Sequence, residues 1–124
     1  MLLLYFLVLY LNVLPIINGL SDYSHPCQIL ADIFTLKEKF GKLSNKTVCW
    51  IGDFNNVLRS LIQAQHIYSF QLNIVMPKQI LGKNKLNINK IKHSKIKFTD
   101  NIQNGVMKSD CVMTDVWISM GEKN

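Results

Sequence analysis

Three short clusters carry side chains whose types and spacing could do chemistry. The first is His25-Pro26-Cys27-Gln28. His25 and Gln28 stand three apart, so in a first helical turn they share a face. That turn also presents unpaired N–H groups and the positive end of the helix dipole. A carbonyl that gains negative charge during acyl or carbamoyl transfer would be stabilised there by the His25 imidazole. The Gln28 carboxamide would accept a hydrogen bond from an amide NH2 on the same substrate. The plainer alternative is a surface His and Gln beside a helix cap.

The second cluster is Asp53-Phe54-Asn55-Asn56, directly after Gly52. It opens like a nucleotide-binding turn, but Gly52 alone does not make a dinucleotide fingerprint. Asn56 would offer its amide to an amino-acid carboxylate. The alternative gives Asn55 a capping role and leaves Asn56 exposed. The third cluster is Asp115-Val116-Trp117-Ile118-Ser119-Met120-Gly121. Asp115 supplies a carboxylate for an ammonium group, Ser119 a hydroxyl, and Gly121 a tight turn. Its alternative is an ordinary strand exit with Trp117 in the core. Cys27 and Cys49 have no base placed to activate them and read as inert thiols. His66 and His93 lack ligand-like spacing, so no metal site is expected.

Composition narrows the class. The 124 residues are 48% hydrophobic and 18% charged, which fits about one folded domain and excludes a disordered chain. Three widely separated cysteines exclude a disulfide framework and fit a reducing compartment. The formal net charge of +6 is local: Lys78–Lys97 holds seven Lys and no acid. That run has no aromatic residue to stack on bases, so it reads as a solvated segment and nucleic acid is not an expected partner. Met1–Leu11 is apolar, yet Asn12, Pro15 and Asn18 break the apolar stretch directly beyond it. A buried lead-in is expected over a signal peptide or a membrane span, which wants about 20 apolar residues.

The clusters need elements to position them. Ser24–Gly41 reads as a helix, capped by Ser24, with Pro26 in the first turn and Ile29, Ile33, Leu36 and Phe40 as its apolar stripe. Thr47–Gly52 reads as a buried strand, and a helix capped by Asn55 follows, burying Val57, Leu58, Leu61, Ile62 and Ile67 or Tyr68. Gln71–Met76 is a second strand, stopped by Pro77. Lys83–Lys97 is a weak helix or loop, Ile96–Thr99 a short strand, Asn101–Met107 a short helix and Cys111–Thr114 a last strand. This alternation predicts an α/β fold with a doubly wound parallel sheet. In such sheets ligands sit at the carboxyl ends of the strands, where the second and third clusters fall.

Taken in order, Leu14–Asp22 (LPIINGLSD), His25–Asp32 (HPCQILAD), Trp50–Val57 (WIGDFNNV) and Thr114–Gly121 (TDVWISMG) closely resemble the ornithine carbamoyltransferase family. The resemblance runs from about Leu14 to Glu122. It implies that His25, Pro26 and Gln28 bind carbamoyl phosphate, with His25 and Gln28 catalytic, and that Asn56, Asp115, Ser119 and Met120 hold ornithine. The implied reaction is attack of the ornithine side-chain amine on carbamoyl phosphate, giving citrulline and phosphate in arginine metabolism. No metal or organic cofactor is implied. Family members are trimers with sites shared between subunits, and a cytoplasmic location follows from the same likeness.

The family's phosphate-binding Ser-x-Arg-Thr motif and its His-Cys-Leu-Pro motif do not occur in these 124 residues. The expectation is therefore a chain truncated at both ends. Residues 1–23 would be a hydrophobic lead-in, 24–42 a linking helix and 43–124 a partial ornithine-binding domain, inactive alone. The rival expectation is a non-catalytic amino-acid-binding or interaction module that complements a partner chain.

Overall fold

The computed structural model describes residues 17–91 and 93–116. Helix α1 spans Pro26–Phe40. Pro26 opens it, where a missing N–H costs nothing. The residue flanking its start is His25, and no side chain caps it. The expected cap, Ser24, instead uses its hydroxyl to accept from Asn18 Nδ2 at 2.9 Å. Gly41 ends the helix at φ 70°, a conformation costly for a residue with a Cβ. Ile29, Ile33 and Leu36 are buried, and Phe40 packs partly against the same core.

Strand β1 (Thr47–Ile51) feeds helix α2 (Asn56–Tyr68). Asn55 caps α2 by accepting from Leu58 N–H at 3.0 Å. Val57, Leu58, Leu61 and Ile62 are buried; Tyr68 packs on the core, whereas Ile67 is 75% exposed. Strand β2 (Gln71–Val75) follows, and Pro77 then starts α3 (Lys78–Lys83). Helix α4 (Lys85–Lys90) comes next. The lysine-rich run is thus partly helical, because Ile80, Leu81, Ile88 and Ile91 reach the core while Lys78, Lys83, Lys85 and Lys90 stay in solvent. Strand β3 (Ile96–Thr99), helix α5 (Ile102–Val106) and strand β4 (Cys111–Thr114) complete the described chain.

The four strands form one parallel sheet in the order β3-β2-β1-β4. Alternation along each strand divides the side chains between two faces. Trp50, Ile74, Phe98 and Met113 share one face, packed in the core that Ile29, Ile33, Leu58 and Leu61 of α1 and α2 complete. Cys49, Asn73 and Lys97 lie on the other, where Asn73 Nδ2 donates to Gly105 O of α5 at 3.1 Å. Gly105 is required there: a Cβ at this position would collide with Val75 Cγ2. Among the described residues no helix is long and apolar enough to cross a membrane. Met1–Leu11, with the expectations placed on it, lies outside the described residues.

Candidate functional site

The sheet grows from β1 in both directions: to β2 and β3 on one side and to β4 on the other. At such a switch point the connections diverge and leave a crevice at the carboxyl ends of the strands. A cavity of about 170 Å³ lies there, lined in part by Gly52 and Asp53 after β1, Asp100 after β3, and Thr114 and Asp115 at the end of β4. At about 30 Å³ per water, it holds about six waters or one small polar group. Three carboxylates border it. Asp100 Oδ2 is 3.5 Å from Lys78 Nζ, an exposed pair worth little. The remaining wall is apolar, from Ile51, Val75 and Ile80. An ammonium group on a short aliphatic stem matches that lining.

The second and third clusters meet across the crevice. Asn55 Nδ2 donates to Asp115 Oδ2 at 2.9 Å, joining residues 60 apart in sequence. Asp115 Oδ1 also accepts from Val116 N–H at 2.8 Å. Asn55 is fixed at its other end, since its Oδ1 caps α2. Asp115 is therefore held by a residue anchored to a helix start, and its second lone pairs remain for a ligand. Asn56 faces the other way: its Nδ2 donates to Ser21 O at 2.8 Å and its Oδ1 accepts from Val57 N–H. Sequence spacing singled out Asn56 and treated Asn55 as a cap; Asn55 both caps the helix and reaches Asp115.

The His25-Pro26-Cys27-Gln28 turn is tied to the same helix start. His25 N–H donates to Ser60 Oγ of α2 at 2.9 Å. One helical turn away, Asn56 holds the Ser21 carbonyl, and the Arg59 guanidinium lies between the rings of Tyr23 and Phe54, at 5.3 and 5.4 Å. Asn56, Arg59 and Ser60 share one face of α2, and together they seat residues 21–25. No signal in the sequence marked Arg59 or Ser60 for this. His25 and Gln28 are half-buried. His25 Nδ1 is buried and has no hydrogen-bond partner among the described residues. A buried ring nitrogen without a partner is costly unless something binds it, and this one sits at a helix start.

Burial pushes the Asp32 carboxyl above its ordinary range, opposed by the charge of His25. Burial likewise pushes the Cys49 and Cys111 thiols up, so both stay protonated and weakly nucleophilic. Cys27 Sγ donates to Asn18 O at 3.4 Å. Ser119 and Met120, with Trp117 and Gly121, lie outside the described residues. Among the described residues no three His, Cys, Asp or Glu side chains gather in a group that could hold a metal ion.

Comparison with known proteins points the same way. Residues 44–124 match the family model described as aspartate/ornithine carbamoyltransferase, Asp/Orn binding domain. The chain is similar to the ornithine carbamoyltransferase of Mesorhizobium japonicum, 42% identical over 111 residues, which cover 89% of this chain and 37% of the relative. The enzyme of Ruthia magnifica is 46% identical over 109 residues, 88% of this chain and 36% of the relative. Among solved structures, the Burkholderia thailandensis ornithine carbamoyltransferase superposes with a TM-score of 0.73 at 38% identity, covering 85% of this chain and 36% of that one. The anabolic enzyme of Campylobacter jejuni gives 0.74 at 34% identity, covering 96% and 41%. The chain thus spans little more than a third of the length of the relatives it matches.

Proposed function

This chain belongs to the aspartate/ornithine carbamoyltransferase family, and we propose that it carries the ornithine side of carbamoyl transfer together with the turn that meets carbamoyl phosphate. The observation that carries the reading is the Asn55–Asp115 bridge at 2.9 Å, beside a small cavity bordered by carboxylates. In this reading Asp115 binds the ammonium of the amino-acid end, with Ser119 and Met120 completing that side. Asn56 holds the carboxylate through the second N–H of its amide, the first being given to Ser21 O. The His25 imidazole and the α1 start stabilise charge that builds on the carbamoyl oxygen as the side-chain amine attacks. Gln28 orients the carbamoyl NH2. Phosphate leaves and citrulline forms, with no cofactor called for, in a cytoplasmic setting and in the trimer typical of the family.

The 124 residues hold a single arginine, Arg59, and it is engaged between two aromatic rings. A phosphate group would want a bidentate arginine. The 124-residue polypeptide by itself is therefore inactive in this reading. An assay of citrulline formation by the purified chain should give no rate above a His25→Ala control. Turnover that His25→Ala abolishes would overturn the claim of inactivity.

A second reading is favoured by the open edge of the sheet. Among the described residues β4 pairs only with β1, and Val112 on it is 47% exposed. An open edge pairs readily with another strand. The chain would then serve as an amino-acid-binding module completed by a partner chain. Copurification of a partner that restores citrulline formation would favour this second reading, whereas ornithine binding by the chain with no partner chain present would favour the first.

A further inference from the structure

His66 and His93 do not line the crevice beside Asp115, and nothing in their spacing links them. The fold nevertheless brings them together. His66 lies on the last turn of α2 and His93 on the segment entering β3. Their ring centroids are 4.9 Å apart, with planes inclined at 61°. His66 Nδ1 is 2.7 Å from Ile62 O. A carbonyl only accepts, so Nδ1 carries the ring proton and Nε2 keeps its lone pair. Metal-ligating histidines are held in this manner, one nitrogen fixed to a backbone carbonyl and the other open. His93 Nδ1 accepts from Lys95 N–H at 3.3 Å, a long and readily surrendered bond.

The separation fits a shared ion. A metal lies about 2.1 Å from a ligating imidazole nitrogen, which is itself about 1.1 Å from its ring centre. Two imidazoles on one ion then have centroids about 4.5 Å apart at a right angle and about 5.2 Å apart at the tetrahedral angle. The observed 4.9 Å falls between these limits.

We infer that His66 and His93 form a two-imidazole chelate for a borderline divalent transition metal of the Zn2+, Ni2+ or Cu2+ type, with water completing the shell. Imidazole suits these ions, whereas Mg2+ wants oxygen ligands. Ligation through His93 Nε2 moves that ring's proton to Nδ1 and releases the Lys95 contact; ligation through Nδ1 displaces it. A neutral ring gives up no net proton either way. The Lys95 ammonium, bonded to Ser69 O at 2.8 Å, adds positive charge nearby and makes the site a weak, exchangeable one. A bound ion ties the end of α2 to the lead into β3, so it stabilises the folded chain by mass action.

The test is a Zn2+ titration of the full chain at neutral pH, followed through the histidine ring protons by NMR, with Mg2+ as comparator. The expected result is a saturable shift of the His66 and His93 signals together, with His25 unmoved and no response to Mg2+. The unfolding midpoint should rise with Zn2+ concentration. His66→Asn and His93→Asn should each weaken binding by about tenfold or more, and a Cys27→Ser, Cys111→Ser double variant should leave it unchanged. Unmoved His66 and His93 signals, or binding undiminished in both histidine variants, would overturn the inference. So would binding that depends on the thiols. The wild-type titration decides alone if a variant fails to fold, and ornithine binding bears on none of these outcomes.

Discussion

Asp110 shows how a single side chain contributes a pH dependence to this fold. Its Oδ2 accepts from Thr47 N–H at 2.8 Å and its Oδ1 from Lys46 Nζ at 2.9 Å. The Thr47 amide, then Lys46, hold its carboxyl below the usual range. A carboxylate with a lowered folded-state pKa contributes stability above its unfolded value, about 3.9, and loses it as pH falls through the folded value. Asp110→Asn should therefore unfold more easily than wild type at pH 7, with the gap closing at acid pH; urea titrations across that range check it. Ser60→Ala makes a second prediction at this scale. It leaves the His25 N–H without its acceptor and should cost about 1–3 kcal/mol in urea unfolding. Part of this residue chemistry was legible beforehand. The His25–Gln28 turn and the Asn55 cap follow from local rules of spacing. The Asn55–Asp115 bridge and the His66–His93 pair do not, because each depends on elements far apart in sequence being neighbours in space.

At the scale of elements, periodicity located α1, β1, α2 and β2 closely, because each of them buries apolar side chains. It served least well across Lys78–Lys97, where lysine and asparagine dilute the pattern and only Ile80, Leu81, Ile88 and Ile91 touch the core. The start of α1 was also displaced by a residue: a sequence rule favours Ser24 as cap, but Ser24 is occupied by Asn18, and the turn is held instead by Ser60. Helix α5 depends on a glycine that no local rule identified, since Gly105 is set by the approach of Val75 from β2. Gly105→Ala should force α5 away from the sheet and cost about 1–3 kcal/mol, read as a lowered urea midpoint with an unchanged slope. An unaltered midpoint would show that α5 yields without penalty.

The described residues form a parallel sheet with helices on both faces, and its strand order places a crevice between β1 and β4. That order could not be read from the sequence. Alternating strands and helices predict a parallel sheet, yet several orders satisfy the same pattern, and only the register of β4 on β1 brings Asp115 to Asn55. The central claim concerns this crevice, and the most direct measurement is a calorimetric titration of the chain with L-ornithine, repeated on Asp115→Asn. The account predicts saturable one-to-one binding that weakens by about tenfold or more in the variant, the loss of one charge-assisted hydrogen bond. No binding by the folded wild-type chain, or equal binding by the two proteins, would contradict it.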